Sequence, residues 1–176
     1  TTGFHLVNTE TRLQELMQRL QKEPLLAIDT ETDGLDPLHA NLVGVSLAIR
    51  EDAAWYLPCG HRDQDGELLP DQLQPDKLAE TLRPLLAKSE SIKIGHNLKF
   101  DLAILSAAQN GGLELAGPLY DTMVGAWLLN PERRSLKLDD LVGELGFAMT
   151  SFTEVTKGDK AADAFCRVSL EAAQTY

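Results

Sequence analysis

Along the first sixty residues, the hydrophobic pattern changes from the period of a helix to that of strands. Segment 9–23 has apolar residues three or four positions apart, which predicts an amphipathic helix, and these residues are Leu13, Leu16, Met17 and Leu20. Pro24 then ends the helix. Segment 25–28 is a continuous apolar run that leads into polar residues, which is typical of a buried strand entering a loop. Segments 41–49 and 53–58 predict two further strands, joined by a polar turn into an antiparallel hairpin.

The rest of the chain alternates between strand and helix patterns. Segment 60–74 is polar and without period, which predicts a surface loop, and Pro75 begins a helix that Pro84 is expected to kink or split. Further strands are expected at 91–95 and 119–120, further helices at 97–111, 122–129, 136–145 and 170–176, and a mobile loop at 147–161. A strand-rich first third followed by this alternation predicts one α/β domain with a mixed sheet.

Composition and charge exclude several classes of protein. Of the 176 residues, 43% are hydrophobic and 24% are charged, which is ordinary globular usage and excludes a disordered chain. No apolar run approaches the roughly 18 residues of a membrane span, so a cytoplasmic location is expected. Cys59 and Cys166 lack the spacing of a zinc site or a disulfide framework. The net charge of -11 disfavours a stand-alone duplex-DNA binder, so any nucleic acid must be held locally through cations or stacking.

Two carboxylates follow the first predicted buried strand. Asp29 and Glu31 are two positions apart, so their side chains point to the same face of the strand, roughly 6.6 Å apart along it. Two ionised carboxylates repel each other unless a proton or a cation intervenes, and oxygen ligands favour Mg²⁺ or Mn²⁺. A solvated acidic strand end gives the same pattern without any function. A phosphatase of the haloacid dehalogenase type is disfavoured, because its motif needs Asp where Glu31 stands.

A second polar cluster begins the helix predicted after position 95. Asn97 and Asp101 are four positions apart and therefore share a face at the helix start, where the helix dipole favours a phosphate or a metal-bound anion. The structural alternative is that Asn97 caps the helix and that Asp101 stabilises its first turn.

Other chemically versatile residues have simpler interpretations. His96 is expected to be structural or superficial, Asp121 is expected to cap a helix, and Trp55 and Trp127 are expected in the core. Tyr176, taken alone, would be a polar residue at the rim of the last helix.

Taken together, in their order and spacing, the motifs resemble those of a known family. The segments AIDTETDG, IKIGHNLKFD, YDTMVGAWLLNP and SLEAAQTY are similar to the proofreading 3′-5′ exonuclease domain of bacterial family A DNA polymerases. The resemblance extends from about Phe4 to Tyr176. That family has an Asp-x-Glu strand, an Asn-x-x-x-Asp helix start and a Tyr-x-x-x-Asp helix. The resemblance implies a ribonuclease H-like α/β fold, in which helices flank a mixed β-sheet.

The same resemblance implies a metal-dependent 3′-5′ exonuclease. Asp29, Glu31, Asp101 and Tyr176 match the catalytic residues, and the three carboxylates match ligands of two divalent ions, Mg²⁺ or Mn²⁺. By family analogy Asp29 bridges both ions, Glu31 serves the site of the attacking water, Asp101 serves the second ion, and the Tyr176 hydroxyl orients the water. The family's fourth carboxylate would stand four positions past Tyr176. Residues 1–176 are therefore expected to be a single domain, cut one turn early from a longer polymerase chain.

The resemblance also implies substrate contacts and partners. Leu35 and Phe152 match positions that pack on the terminal bases, although a plain loop leucine and a buried loop phenylalanine are equally good interpretations. Thr32 and Asn97 match residues that hydrogen-bond the terminal nucleotide. The expected partners are the 3′ end of single-stranded DNA and a polymerase domain in the same monomeric polypeptide. A non-catalytic domain that braces a polymerase and a ribonuclease D-like RNA exonuclease stay open as alternatives.

Overall fold

A mixed six-stranded sheet forms the centre of the computed structural model, which describes residues 3–176. The strands are β1 (Gly3–Leu6), β2 (Leu25–Thr32), β3 (Leu42–Arg50), β4 (Ala53–Pro58), β5 (Ile92–Gly95) and β6 (Leu119–Asp121). They lie in the order β1-β4-β3-β2-β5-β6. β2 pairs antiparallel with β3 and parallel with β5, and β3 and β4 form the predicted hairpin. The prediction of a mixed sheet is therefore confirmed.

Helices flank the sheet and match most of the predicted segments. The helices of the described chain are α1 (Glu10–Leu20), α2 (Pro75–Leu86), α3 (Leu98–Ser106), α4 (Thr122–Leu129), α5 (Leu138–Glu144), α6 (Phe152–Val155) and α7 (Leu170–Thr175). α2 continues through Pro84, so the predicted split there is wrong. Leu82, Leu85 and Leu86 around this proline are buried, and their packing offsets the backbone hydrogen bond that proline cannot make.

Helix α6 lies within segment 147–161, which the sequence predicts to be a loop, so that prediction is wrong for residues 152–155. Ser151 and Glu154 form a capping box at its start, and Val155 at its end is buried. A helix of four residues is too short to show a hydrophobic period, which explains why the sequence pattern missed it.

The two faces of the sheet have different cores. Leu26 and Ile28 of β2 point to the first face, where they join the main core that α1, α2 and α3 cover. Tyr56 of β4 points to the second face, where it packs in a smaller cluster with Phe165 and with Ala173 of α7. Because side chains alternate along a strand, the odd-numbered residues of β2 face the second, less covered side.

Some predicted burial is confirmed and some is wrong. Trp55 is buried as expected, whereas Trp127 is 49% exposed. α4 has apolar residues on all sides, and none of its residues is buried. Segment 60–74 is irregular as predicted, but His61 and Leu73 near its two ends are buried. Throughout residues 3–176, no helix combines the length and the apolar character that crossing a membrane requires.

Candidate active site

Strand β2 places two carboxylates on the less covered face of the sheet. Asp29 and Glu31 alternate with Thr30, whose buried side chain points to the opposite face. Asp29 is open to solvent and Glu31 is half-buried. Within residues 3–176, neither carboxylate has a hydrogen bond from a protein donor or an ion pair with a cationic side chain. Two like charges therefore lie side by side without a compensating partner.

The surroundings of this pair make its charged form unfavourable. Asp29 touches solvent, but the surrounding residues displace much of the water around its carboxylate. This desolvation is the main cause that raises the pKa of Asp29 to about 7, and the charge of Asp101 is the second cause. Desolvation is also the main cause that raises the pKa of Glu31 well above its usual range, followed by the charges of Asp29 and Asp101. Such a pair favours either protons or a bound cation.

A cleft of about 470 Å³ opens above the two carboxylates. Tyr176, which follows α7, lines this cleft together with Asp29 and Glu31. Burial is the main cause that raises the pKa of the tyrosine above its usual range, and the charges of Glu31 and Asp29 add to it. Its hydroxyl therefore keeps its proton at neutral pH. The structure thus brings three of the four predicted catalytic residues into one cleft.

Asp101, the fourth predicted catalytic residue, is buried beside the cleft but does not line it. It belongs to α3 on the first face of the sheet, and its Oδ1 accepts hydrogen bonds from the Thr30 backbone N (2.9 Å) and from Thr30 Oγ1 (2.6 Å). Desolvation raises its pKa to about 6, although the bonds from Thr30 act against this rise. Asp101 is therefore tied to the residue between Asp29 and Glu31, and its charge acts on both.

The start of α3 is capped by a residue distant in the sequence. Asn97 has a left-handed backbone (φ 68°), and its side chain makes no capping hydrogen bond, so the interpretation of Asn97 as a cap is wrong. Instead, the Asp121 carboxylate accepts from the backbone N of Asn97 (3.0 Å) and Leu98 (2.9 Å). It also accepts from Met123 N (2.9 Å) at the start of α4, as predicted for a cap. One carboxylate therefore caps two helices.

None of the four predicted substrate-binding residues is among those that line the cleft. The hydroxyl of Thr32 donates to the Gly34 carbonyl (2.7 Å) within the loop after β2, and Leu35 in that loop is 82% exposed. Phe152 is 40% exposed, so the interpretation as a buried phenylalanine is wrong. Its ring stacks on Phe165 at 6.4 Å between centroids. Phe165 in turn packs against the Tyr176 ring (5.3 Å).

The side chain of Asn97, the other predicted contact to the nucleotide, is half-buried and accepts a hydrogen bond from Lys99 Nζ. The roles of all four predicted substrate-binding residues stay predictions.

Three residues for which no catalytic role is predicted from the sequence also line the cleft, and these are Tyr56, His96 and Asp139. Both ring nitrogens of His96 are bonded, to Thr122 Oγ1 (2.9 Å) and to the Leu136 carbonyl (2.8 Å), so the expected structural role is confirmed. Its position next to Asn97 was the only sequence signal for its place in the cleft. Tyr56 gave no signal, because it lies inside an apolar strand pattern.

The carboxylates suit a hard divalent cation, but they do not form a complete ligand set. Oxygen atoms from Asp29 and Glu31 are the donors that Mg²⁺ prefers, with water in its remaining positions. Among residues 3–176, no three carboxylate, histidine or cysteine side chains are arranged as a ligand group for a metal ion.

The chain matches known proteins over nearly all of its length. A model of the 3′-5′ exonuclease family matches residues 4–176. DNA polymerase I of Chloroflexus aurantiacus is 33% identical over 165 residues, which are 85% of this chain and 16% of that protein. DNA polymerase I of Pseudomonas aeruginosa is 32% identical over 175 residues, which are 98% of this chain and 19% of that protein. The chain thus spans less than a fifth of the length of these relatives.

Solved structures support the same fold. RNase D of Trypanosoma brucei has a TM-score of 0.73 at 15% identity, with 99% of this chain and 61% of that chain covered. Brucella melitensis NrnC with bound Mg²⁺ has a TM-score of 0.62 at 23% identity, with 97% and 72% covered. The predicted ribonuclease H-like α/β fold is therefore confirmed. With the family model matched over residues 4–176 and the Asp29, Glu31 and Tyr176 side chains gathered in one cleft, the chain belongs to the 3′-5′ exonuclease family.

Proposed function

We propose that this chain is the divalent-metal-dependent proofreading domain of a DNA polymerase. It removes nucleotides one at a time from the 3′ end of single-stranded or frayed DNA. The observation that carries the proposal is the pair Asp29 and Glu31, which has no cationic partner among residues 3–176 and lies in the cleft that Tyr176 also lines.

The charge of the cleft defines what it needs to act on DNA. Asp29, Glu31 and the neighbouring Asp101 would repel the phosphate that an exonuclease must cleave. Two divalent ions, when bound, would neutralise this charge, activate the attacking water and stabilise the leaving 3′ oxygen. Asp29 and Glu31 offer the ligand oxygens on the cleft floor, and Asp101 acts from beside it through its charge. Mg²⁺ or Mn²⁺ fits these oxygen donors.

Tyr176 acts in this proposal as an oriented hydroxyl group. Because its pKa is raised above an already high reference value, it is a poor general base at neutral pH. A protonated hydroxyl can still donate one hydrogen bond and accept others. Because it lines the same cleft as Asp29 and Glu31, it can therefore orient a water molecule or a phosphate oxygen.

The DNA strand is held by local contacts, since the domain as a whole repels it with a net charge of -11. Leu35 and Phe152 offer exposed apolar surface for terminal bases, and stacking needs no particular sequence. Thr32 and Asn97 offer polar groups to the terminal nucleotide. The relatives are whole DNA polymerase I chains, which supports a polymerase domain in the same polypeptide and a cytoplasmic place of work. The fourth carboxylate, four positions past Tyr176, stays a prediction.

One alternative substrate has a specific observation in its favour. RNase D of Trypanosoma brucei shares the fold at a TM-score of 0.73, and its name points to RNA. The relatives that are 30% or more identical are DNA polymerases, so DNA is the better-supported substrate. A non-catalytic bracing role is disfavoured, because a brace has no use for two repelling carboxylates in an open cleft.

A trimming assay with two substrates decides between these functions. The intact protein is mixed with Mg²⁺ and a 5′-labelled single strand, either DNA or RNA of the same sequence, and products are resolved at single-nucleotide length. We expect a ladder that shortens from the 3′ end of DNA. Preferential trimming of RNA would support the alternative, and intact strands in both reactions would contradict an exonuclease.

A further inference from the structure

A buried histidine that the proposed chemistry does not use connects the two walls of the cleft. His61 lies just after β4 and is completely buried. Its Nδ1 is 2.9 Å from the Val168 carbonyl oxygen, and its Nε2 is 2.6 Å from the Tyr56 hydroxyl. A carbonyl can only accept, so Nδ1 carries the hydrogen. In the neutral ring, Nε2 then accepts a hydrogen bond from Tyr56.

The backbone around His61 is fixed from both sides. The side chain of Gln72 accepts from His61 N (2.8 Å) and donates to His61 O (2.9 Å). The next residue, Arg62, donates its backbone N to the Cys166 carbonyl (2.8 Å), two residues before Val168. The imidazole therefore has a fixed place from which to hold the segment that contains Val168.

That segment sets where α7 begins. Val168 directly precedes Ser169, whose side chain caps α7. α7 is six residues long and ends next to Tyr176, so a shift of its first residue is transmitted to the tyrosine. Phe165 provides a second connection, because its ring packs 5.9 Å from His61 and 5.3 Å from Tyr176 between centroids.

The other partner of His61 reaches the carboxylate side of the cleft. Tyr56 lines the cleft, and the ring lies so closely over Gly44 that a Cβ there would collide with the Tyr56 hydroxyl. Gly44 is the register partner of Glu31 between β3 and β2. Hydrogen bonds and packing thus connect the strand position of Glu31, through Tyr56 and His61, with the start of α7.

We propose that His61 is a positioning residue for the exonuclease reaction. Its Nδ1–H group holds the Val168 carbonyl and thereby sets the place of Tyr176 relative to Asp29 and Glu31. This inference rests on the proposed function, because Tyr176 must act on the substrate for its place to matter. A loss of alignment at a reacting centre lowers the turnover rate more than it lowers binding.

Two amide substitutions separate the hydrogen bond from the volume of the ring. His61→Asn carries an amide donor close to the position of Nδ1, so it can still reach the Val168 carbonyl. His61→Gln carries the same amide one carbon further out, toward Tyr56, and loses the bond to Val168. We expect His61→Asn to keep kcat within about threefold of the unchanged protein and His61→Gln to lose about tenfold or more, with KM nearly unchanged.

A core variant controls for a loss of stability alone. Leu16 on α1 is buried in the main core, away from the cleft, so Leu16→Ala lowers the melting temperature without moving Tyr176. The intact protein and its three variants are compared for trimming of single-stranded DNA with Mg²⁺ and for thermal unfolding. A kcat loss specific to His61→Gln supports the proposal. Equal kcat values for the Asn and Gln variants, or a kcat loss in Leu16→Ala of the same size, would overturn it.

The comparison also separates the two proposals. If the unchanged protein trims neither DNA nor RNA, the proposed function fails and the role of His61 fails with it. If the unchanged protein trims DNA and the Asn and Gln variants do not differ, only the role of His61 is wrong.

Discussion

Three aspartates in this domain show how surroundings decide the role of a carboxylate. Asp121 accepts backbone N–H groups at two helix starts, which stabilises its charge. Asp101 accepts two hydrogen bonds from Thr30 and stays buried. Asp29 has no protein donor within residues 3–176, and its pKa is raised to about 7. The carboxylate without a partner is the one that remains free to bind a cation.

Leu35 offers a test at this scale, because a matched residue lies three positions away. Leu35 and Leu38 are 82% and 70% exposed in the same loop, so replacing either with alanine should change stability by less than about 0.5 kcal/mol. If Leu35 packs on a terminal base, Leu35→Ala raises the KM for single-stranded DNA several-fold, whereas Leu38→Ala does not. Steady-state trimming rates measure this. Equal KM values for the two variants would show that Leu35 is an ordinary loop residue.

The shared cleft of Asp29, Glu31 and Tyr176 could be predicted from the sequence because their signals are local. The two-residue spacing of Asp29 and Glu31 fixes their common face, and the family motif identifies Tyr176. His61 could not be found in this way, because its partner Val168 lies 107 positions away. The position of Asp101 outside the cleft lining also depends on the crossing of α3 over β2, which no spacing in the sequence specifies.

At the scale of elements, α3 and α4 depend on one shared cap. Asp121 ends β6, the strand that pairs parallel with β5, so both helix starts meet at the same edge of the sheet. Its Oδ2 accepts from Leu98 N, and its Oδ1 accepts from both Asn97 N and Met123 N. The sequence predicts Asp121 as the cap of α4, but the second helix becomes visible only when the strands are paired.

Removing this cap should affect both stability and activity. Asp121→Ala leaves two helix starts without their acceptor, and each cap is typically worth about 1 kcal/mol, so we expect a loss of about 2 kcal/mol. Trimming should also slow, because α3 carries Asp101 and starts directly after Asn97. Asp63→Ala is the control, since Asp63 also accepts two backbone N–H groups but in an exposed loop. Urea unfolding measures the stability of the two variants. Equal losses of stability would contradict the double cap.

Elements with a clear period were predicted well, and short or exposed ones were not. The segments predicted for β4 and α4 agree with the structure residue by residue. α6 is too short to show a period, and Trp127 of α4 was expected in the core although it is exposed. Hydrophobicity indicates that a helix has an apolar surface, but it does not specify what covers that surface.

The whole molecule is expected to gain stability when the carboxylates of the cleft are neutralised. The pKa of Asp29 is about 7 in the folded protein against 3.8 as its reference value, and that of Glu31 is also raised. In the metal-free protein the folded state therefore binds protons that the unfolded state has lost. This contribution is fully present below about pH 4 and is lost as pH rises through about 7.

Thermal unfolding in EDTA at pH 5 and pH 8 measures this effect. The melting temperature should be lower at pH 8, and millimolar Mg²⁺ should restore part of the difference. Asp29→Asn should reduce the pH dependence. The buried His61 has the opposite effect on the pH dependence of stability, because burial lowers its pKa to about 4. This effect is the same in the unchanged protein and in the Asp29→Asn variant. A pH dependence that Asp29→Asn leaves unchanged would show that the pKa of Asp29 is not raised in the folded protein.

The most direct test of the central claim is the trimming of a 3′-mismatched primer. The intact protein is compared with a double variant that combines Asp29→Asn and Glu31→Gln. The proposal predicts that this double variant loses trimming in Mg²⁺ by roughly a thousandfold or more. The control Asp36→Asn, which removes one exposed carboxylate from the neighbouring loop, should keep the full rate. Unchanged trimming by the double variant would contradict the assignment of Asp29 and Glu31 as the centre of the exonuclease.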